Sequence, residues 1–386
     1  MSLFSDQIVA AVREVAGPSP AALHEPLFAG QEIKYLSECI ETGWVSSVGR
    51  FVDRFEQQLA EYTGARHAIA VVNGTAALHA ALLAVDVDAG SEVLVPALTF
   101  IGTVNPIVYC GATPHFIESS SATLGVDPDA LARYLSDIAV VTGGICRNRL
   151  TGARISALLP VHIFGHPIDM DALNEVARRF SIPVVEDAAE AIGSYDKGRH
   201  AGTLGSVGTL SFNGNKTITT GGGGAILTND SGLAGRIKHL STTARVAHRW
   251  QFLHDMVGYN YRLPNINAAL GCAQLEQLDG FIARKRRLTE LYAAAFEKNP
   301  GLRLIREPAG TQSNYWLQSI MLDPQHASER DVVLEALNDA GYAARPVWRL
   351  MSTMPMFEAC PRMPLTVTED IEQRVISLPS GAGLIS

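Results

Sequence analysis

The amino-acid sequence predicts a mixed α/β fold, in which a large domain with a mostly parallel sheet flanked by helices precedes a smaller C-terminal α+β domain. Short apolar runs without polar alternation occur between residues 67 and 185 and alternate with helical patterns, which is typical of strands buried on both faces. Short strands and glycine-rich turns follow at 208–228. A length of 386 residues suffices for two or three domains of about 150 residues each.

We divide the chain into an N-terminal arm, a large domain and a small domain. The arm covers residues 1–30, because Gly17-Pro18-Ser19-Pro20 ends a weak amphipathic stretch at 4–15. The large domain covers residues 31–265 and the small domain covers residues 266–386.

The large domain begins with helical spacing and continues as an alternation of strands and helices. Apolar positions between 32 and 62 predict two helices, separated by the loop 43–49. The strands predicted after them are 67–72, 92–95, 113–117, 157–161 and 183–185. The helices predicted between these strands are 75–85, 101–109, 128–135 and 170–180.

The small domain begins with a long helical pattern at 268–296. The basic run 284–287 lies in this pattern and is interpreted as a solvated helix face. A strand at 315–322 and helices at 329–340 and 369–375 follow, with Tyr315 and Trp316 assigned to the core of this domain. In the large domain, the polar stretch 148–154 predicts a surface hairpin or loop.

Composition disfavours several classes of protein. Asp and Glu number 39 against 31 Lys and Arg, and the resulting net charge of −8 argues against a nucleic-acid partner. No segment has the apolar length of a membrane span, and the N-terminus lacks the pattern of a signal peptide. The five cysteines are scattered and never form a C-x-x-C pair, which argues against disulfides and zinc. We expect a cytoplasmic protein without a metal site.

The first of three candidate chemical segments is a buried strand that ends at Glu186-Asp187 and runs on to Glu190. Ligands in open α/β sheets bind at the carboxyl ends of strands, so Asp187 stands where a cofactor would lie. A helix cap is the alternative interpretation, with Asp187 at the N-cap and Glu190 reaching back from three residues later.

The other two segments contain a lysine and a helix start. Lys216 ends the loop 211–216 and precedes four glycines at 221–224. A partly desolvated lysine in such a loop can become a nucleophile that forms a Schiff base, whereas the alternative is a lysine on a surface turn. Gly74 and Thr75 lie between a strand and a helix, where free amides and the helix dipole favour a phosphate; an ordinary capped helix is the alternative.

Together the three segments point to pyridoxal 5′-phosphate. This cofactor needs a phosphate cradle, an acid for its ring nitrogen and an amine for its aldehyde carbon. The pyridoxamine 5′-phosphate form would then carry the amino group during turnover.

The sequence also resembles the DegT/StrS family, whose members are fold-type-I aminotransferases that place amino groups on nucleotide-linked keto sugars. The resemblance covers nearly the whole chain. It rests on NGTAAL at 73–78, PALTF at 96–100, PVHIFGHP at 160–167, EDAAE at 186–190, SFNGNK at 211–216 with the four glycines, and GYNYR at 258–262. Within the family the chain most resembles the branch that serves legionaminic-acid-type sugar pathways, through 43–49, 211–216 and 345–348.

The resemblance implies catalytic roles for Lys216 and Asp187. Lys216 would form the Schiff base and later move the proton between cofactor and substrate carbons. Asp187 would pair with the pyridine nitrogen. The other residues that the resemblance implies for cofactor binding are Gly74, Thr75 and Ser211 at the phosphate, Phe100 against the ring, and Glu190.

Three further consequences of the resemblance concern Glu190, the partner subunit and the substrate. The family often has Gln or His at position 190, donating to the phenolic oxygen of the cofactor, and a glutamate can donate there only when protonated. Asn260 would reach the phosphate of the neighbouring subunit's cofactor, so we expect a homodimer with shared active sites. His162, Arg345 and Trp348 are candidate contacts for the sugar nucleotide.

We therefore expect a pyridoxal-phosphate-dependent aminotransferase that moves an amino group from L-glutamate to the keto carbon of a nucleotide-linked 4-keto-6-deoxy sugar, for cell-surface sugar biosynthesis. The resemblance favours a UDP-N-acetylhexosamine derivative. One alternative is a sugar dehydrase of the same fold, in which histidine replaces the lysine. The other is a non-catalytic regulatory or sensor protein. A nucleotide-binding dehydrogenase is disfavoured because the dinucleotide fingerprint is absent.

Overall fold

Helices and short strands alternate along the chain. The computed structural model describes residues 2–385. In that range the α-helices are α1 (Leu3–Ala16), α2 (Glu32–Thr42), α3 (Arg50–Thr63), α4 (Gly74–Ala84), α5 (Ile101–Tyr109), α6 (Pro128–Ile138), α7 (Met170–Arg179), α8 (Ser231–Ser241), α9 (Asn265–Leu275), α10 (Leu278–Phe296), α11 (Arg330–Asp339) and α12 (Thr366–Arg374). The strands are β1 (His67–Val71), β2 (Glu92–Pro96), β3 (Thr113–Ile117), β4 (Ala139–Thr142), β5 (Ile145–Asn148), β6 (Ile155–Leu158), β7 (Val185–Asp187), β8 (Tyr195–Asp196), β9 (Arg199–His200), β10 (Val207–Ser211), β11 (Gly224–Thr228), β12 (Arg245–Val246), β13 (Leu253–His254), β14 (Leu302–Leu304), β15 (Thr311–Gln312), β16 (Gln318–Leu322), β17 (Arg345–Pro346) and β18 (Val375–Leu378).

A central sheet organises the first two thirds of the chain. Four strands pair in the order β1-β11-β10-β7, and three pair in the order β3-β2-β6. Parallel bridges from Leu158 to Val184 and from Val161 to Asp187 join the two groups edge to edge. The pairings among β10, β7, β6, β2 and β3 are parallel, and β11 runs antiparallel to both of its neighbours. The predicted mostly parallel sheet is confirmed.

Helices cover this sheet on both faces. Successive residues of a strand point to opposite faces, and in β1 they join different hydrophobic clusters. Ile69 and Val71 belong to the cluster that includes the apolar side chains of α4, whereas Ala68 and Ala70 belong to the cluster built with α3 and α9. Because both faces are buried, the strands have no polar face, which is why their sequences read as continuous apolar runs.

A four-stranded antiparallel sheet, in the order β14-β16-β18-β17, forms the centre of the smaller unit. The predicted N-terminal arm contains α1, which is not free but packs on α10 and α11. Ile8 and Val12 of α1 are buried in one cluster with Leu288 and Leu337. Helix α9, in contrast, packs against α2 and α3 of the large unit. We propose that α1 belongs to the small unit and that the boundary between the units lies near the start of α10.

The basic run 284–287 is not uniformly solvated, so the predicted solvated face is wrong at Lys285. This side chain is fully buried, because it shares a face of α10 with the buried Phe281, Leu288 and Tyr292 at helical spacing. Its Nζ donates to the carbonyl oxygens of Trp316 at 3.0 Å and Ser380 at 2.6 Å. Burial lowers the pKa of Lys285 to about 7.

Smaller differences from the predicted elements also have local causes. The helical pattern at 268–296 is divided into α9 and α10 at Glu276-Gln277. The strand predicted at 157–161 is observed two to three residues earlier, as β6. It ends before Pro160, which has no amide hydrogen for a sheet ladder. The polar stretch 148–154 is a turn that follows the exposed hairpin β4–β5. In the described range no helix has the length and apolar character needed to cross a membrane.

Replacing Ile8 with Ala should lower the free energy of unfolding by about 2–4 kcal/mol, because this side chain is fully buried between α1 and the small unit. Leu3 lies on the same helix but is 77% exposed, so Leu3→Ala should change the free energy by less than about 0.5 kcal/mol. Urea unfolding of both variants measures the difference. Equal effects would mean that α1 is not docked.

Candidate active site

A cleft of about 340 Å³ opens at the carboxyl ends of the central strands. It forms there because β7 ends at Asp187, β10 ends at Ser211, and α4 begins shortly beyond the end of β1. The cleft wall brings together most of the site residues predicted from the sequence, namely Gly74, Thr75, Phe100, Asp187, Glu190, Ser211, Lys216 and Trp348.

Lys216 lies in the wall of this cleft, with its side chain 12% exposed. Its Nζ donates to Glu190 Oε1 at 3.1 Å and lies 3.8 Å from the centroid of the Trp316 ring. A turn in which the Lys216 amide donates to the Asn213 carbonyl at 3.0 Å aims the side chain inward. The alternative of an ordinary surface lysine is therefore wrong.

Asp187 is a buried carboxyl group that faces the same cleft. Its Oδ2 accepts from the Thr103 hydroxyl at 2.7 Å, and its Oδ1 accepts from the Ala189 amide at 3.0 Å. Burial raises the pKa of Asp187, and these hydrogen bonds act in the opposite direction. Turns follow Asp187, so the predicted alternative of a helix N-cap is wrong. Among residues 2–385 no basic side chain forms an ion pair with Asp187, which leaves its charge to be balanced from the cleft.

Glu190 contacts Lys216 and also accepts hydrogen bonds from Phe164 and Asn314. Its Oε2 accepts from the Phe164 amide at 2.8 Å, and its backbone carbonyl accepts from Asn314 Nδ2 at 2.8 Å. Burial raises the pKa of Glu190, whereas the charge of Lys216 lowers it. Both carboxyl oxygens act as acceptors in this arrangement, so Glu190 is a partner for the Lys216 ammonium group.

The start of α4 presents backbone amides that could bind an anion at the phosphate corner of the cleft. Asn73 caps the helix by accepting from the Ala76 amide at 2.7 Å, while the amides of Gly74 and Thr75 precede any intrahelical partner. A Cβ at Gly74 would lie 3.0 Å from the Cβ of Ser211, closer than most such contacts, so any larger residue would require Ser211 to shift. The capped helix and the phosphate site, which were alternatives in the sequence, are compatible here.

Aromatic side chains form the outer wall and lead into a second cleft. Phe100 is 54% exposed, and its ring centroid lies 6.4 Å from that of Trp348. The second cleft, of about 420 Å³, shares Asn215, Trp316 and Trp348 with the first. The predicted residue Arg345 lines the second cleft rather than the first.

His162 does not reach either cleft, so its predicted contact with substrate is wrong. The side chain is fully buried behind Asp187, where its Nε2 lies 3.0 Å from Glu186 Oε2 and its Nδ1 accepts from the Ile168 amide at 3.3 Å. Burial opposes ionisation of Glu186, but hydrogen bonds from His162 and backbone amides outweigh it and lower the pKa. His162 thus supports the strand that carries Asp187.

Asn260 lies outside the cleft of its own chain. It is exposed and bridges to Thr242. Its expected contact with the cofactor of a neighbouring subunit stays a prediction.

Three residues of the site were missed by the sequence argument: Thr103, Asn314 and Trp316. Thr103 follows Thr99 by one helical turn, and their hydroxyls are 2.7 Å apart, a spacing that could have suggested a polar helix start beneath the cleft. Asn314 and Trp316 come from the small unit, far away in sequence. Trp316 is 4% exposed, as expected of a core residue, but its ring also covers Lys216.

A sequence model of the DegT/DnrJ/EryC1/StrS aminotransferase family matches residues 27–386. The chain belongs to this family. The predicted family and fold are confirmed, and with them the predicted aminotransferase activity. The predicted place in the legionaminic-acid branch stays a prediction.

Individual family members resemble the chain over almost its full length. A GDP-perosamine synthase from Escherichia coli O157:H7 is 40% identical over 359 residues, which cover 93% of this chain and 92% of the relative. A GDP-perosamine synthase from Vibrio cholerae is 38% identical over 363 residues, which cover 94% of each. The structure of S. venezuelae DesV in complex with a ketimine intermediate superposes with a TM-score of 0.80 at 30% identity, and covers 92% of this chain and 90% of that one.

DegT-family aminotransferases use pyridoxal phosphate, and the cleft fits this cofactor in three places. The space beside Gly74, which a Cβ would fill, and the free amides of α4 suit a phosphate. Asp187, buried without an ion pair, suits a protonated ring nitrogen. Lys216 presents its amine to the same cleft. The predicted cofactor is confirmed.

Gly74→Ala should weaken binding of pyridoxal phosphate by about tenfold, because the added Cβ would displace Ser211 at the phosphate corner. Gly235→Ala is the matched control, since a Cβ added there on α8 meets no atom within 4 Å. Absorbance titration of the cofactor-free variants gives both dissociation constants. An unchanged value for Gly74→Ala would place the phosphate elsewhere.

Proposed function

We propose that this DegT-family aminotransferase transfers the amino group of L-glutamate to the keto carbon of a nucleotide-linked 4-keto-6-deoxy sugar, for the biosynthesis of cell-surface sugars in the cytoplasm. The convergence of Lys216, Asp187 and Glu190 on one cleft carries the proposal. The relatives named as GDP-perosamine synthases support a nucleotide-linked sugar as the acceptor.

The identity of the nucleotide is where the two lines of support differ. The motifs favour a UDP-N-acetylhexosamine derivative, whereas the named relatives favour a GDP-linked sugar. Parallel assays of the purified enzyme with L-glutamate and either 4-keto-6-deoxy sugar nucleotide decide between them by kcat/KM.

In this proposal each residue of the cleft has one task. When bound, pyridoxal phosphate acts as an electron sink that stabilises negative charge at the carbon losing a proton. Lys216 would hold the aldehyde carbon of the cofactor and would carry the proton between the cofactor and substrate carbons. Asp187 keeps the ring nitrogen protonated, and its burial strengthens that interaction because little water competes for the charge. Phe100 shields the ring from water.

The second cleft is the proposed place for the nucleotide part of the substrate. Its lining includes Arg345, Arg349 and the half-buried Trp348. Among the described residues that line it there is no Asp or Glu, although the chain as a whole carries a net charge of −8. Guanidinium groups match phosphate oxygens and an indole can stack on a base, so this lining suits a nucleoside diphosphate.

A homodimer with shared active sites is supported by exposed apolar side chains in the segment that precedes Asn260. Trp250, Phe252 and Val257 lie in and after the hairpin β12–β13 and are 69%, 75% and 81% exposed. Apolar side chains grouped in this way are typical of a protein interface. A second copy of the chain on this surface would bring Asn260 toward its cleft.

The alternative functions are less well supported. A dehydrase of the same fold would have histidine where this chain has Lys216. A sensor protein does not require an amine, an acid and a phosphate corner to converge on one cleft. Failure to exchange an amino group with glutamate, despite bound cofactor, would favour the sensor.

Lys216→Ala should lower the rate of amino transfer by about a thousandfold or more, because no other amine lines the cleft in the described part of the chain. Lys34→Ala, at an exposed position of α2, is the control and should keep the wild-type rate. The rate is followed by absorbance after L-glutamate is added. Borohydride reduction of the wild type, followed by peptide mapping, should find the cofactor on Lys216. Near-wild-type activity of Lys216→Ala would contradict the mechanism.

Mixing two inactive variants tests the shared site. Lys216→Ala and Asn260→Ala homodimers should each be nearly inactive, but after exchange of subunits about a quarter of wild-type activity should return. Half of the dimers are then hybrids, and each hybrid has one site with both residues intact. Monomeric protein in size-exclusion chromatography, or no return of activity after demonstrated exchange, would contradict the proposal.

A further inference from the structure

Trp316 contacts Lys216 in two ways. The ring face lies 3.8 Å from Nζ of Lys216, within the range of a cation–π interaction. The indole Nε1 donates to the carbonyl oxygen of Asn215 at 2.6 Å. One side chain of the small unit therefore holds both the ammonium group and the backbone next to it.

The backbone before Trp316 is strained in a way that aims this side chain. Tyr315 has φ +48°, a left-handed conformation that is costly for a residue with an aromatic side chain. Hydrogen bonds from the Tyr315 amide to Ser313 Oγ and from the Trp316 amide to Asn314 Oδ1, both 2.9 Å long, stabilise the turn. Strain that is held by side-chain hydrogen bonds indicates that the position of the next residue, Trp316, is required.

Lys285 holds the backbone of Trp316 through a hydrogen bond. Its buried ammonium group donates to the carbonyl oxygens of Trp316 and Ser380, and among residues 2–385 it has no acidic partner. A buried lysine without an acid is costly, so an apolar residue would serve the core better. Lys285 therefore contributes specific hydrogen bonds to the backbone of Trp316 and Ser380 rather than apolar packing alone.

We propose that Trp316 is a positioning residue for Lys216 and that Lys285 fixes Trp316 for this task. The inference rests on the proposed role of Lys216. A lysine that moves a proton between carbons must be free of the cofactor for part of each turnover, and its four-carbon chain is flexible. The indole face attracts the ammonium group without offering an acceptor for its proton. Lys216 then keeps its place beside Glu190 while it carries the proton from one carbon to the other.

The direct test measures the reactivity of the Lys216 amine in the full chain without cofactor. Acetic anhydride modifies lysines, and peptide mass mapping compares Lys216 with the exposed Lys34 in the same sample. Trp316→Met, which removes the ring, should raise the relative rate at Lys216 by about fivefold, because the charged form loses its partner. Trp316→Phe keeps a ring face and should stay within about twofold of wild type. Lys285→Met should raise the rate by about twofold.

Controls separate this role from a structural one. Met356→Ala removes an exposed apolar side chain that lines neither cleft and should leave the rate at Lys216 unchanged. In the loaded enzyme, Trp316→Met should lower kcat with KM nearly unchanged and increase the isotope effect with glutamate deuterated at the α carbon, since proton transfer becomes slower. If Trp316→Met does not fold by circular dichroism, Trp316→Leu replaces it.

Separate results would refute the positioning role of Trp316 and the proposed function of the protein. A folded ringless variant in which Lys216 reacts at the wild-type rate refutes the positioning role, even when the cofactor maps to Lys216. A cofactor that maps to another lysine in the wild type refutes the proposed function instead. Equal rates in the Phe and Met variants would also refute the role of the ring.

Discussion

The parallel pairing of β7 with β10 is the constraint on which the active site depends. It places Thr209 opposite Asp187, so that the acid ends one strand and the loop of Lys216 begins where the next one ends. Asp187 and Lys216 then line the same cleft without a hydrogen bond between their side chains. Strand β7 is stabilised in this position because His162 and backbone amides form hydrogen bonds with Glu186, the residue before Asp187. Glu186, a buried carboxylate whose hydrogen bonds are satisfied, thus stabilises the strand that carries Asp187, a carboxylate without an ion pair.

The small unit completes what the sheet begins. Asn314 binds the backbone of Glu190, and Trp316 covers the Lys216 side chain, so a short segment before β16 contacts two of the three central residues. The site is therefore built between two units rather than on one. Any movement of the small unit relative to the sheet would change the surroundings of the lysine before it changed those of Asp187.

Local pattern was enough to predict the parts of the site that follow strands. Asp187, Lys216 and Gly74 each lie in a short segment whose strand, turn or glycine is visible in the sequence, and the cleft contains all three. Thr103, Asn314 and Trp316 could not be predicted in this way, because their contacts span from 84 to 124 positions. The burial of Lys285 was predictable in principle, since it follows Phe281 by four residues and precedes Leu288 by three. It was predicted to be exposed because a run of charged residues usually lies on a solvated helix face. His162 was misplaced because a histidine near a strand end serves equally well as a structural hydrogen-bond partner.

The position of α1 has a consequence for how the chain folds during synthesis. This helix is synthesised before the elements on which it packs, because Ile8 and Val12 contact α10 and α11, and their cluster also includes Ile376 and Leu378 of β18. The large sheet can form as its strands emerge, but the core of the small unit cannot close before β18 has been synthesised. Until then the apolar face of α1 lacks part of its packing partners, which leaves this helix open to non-native contacts.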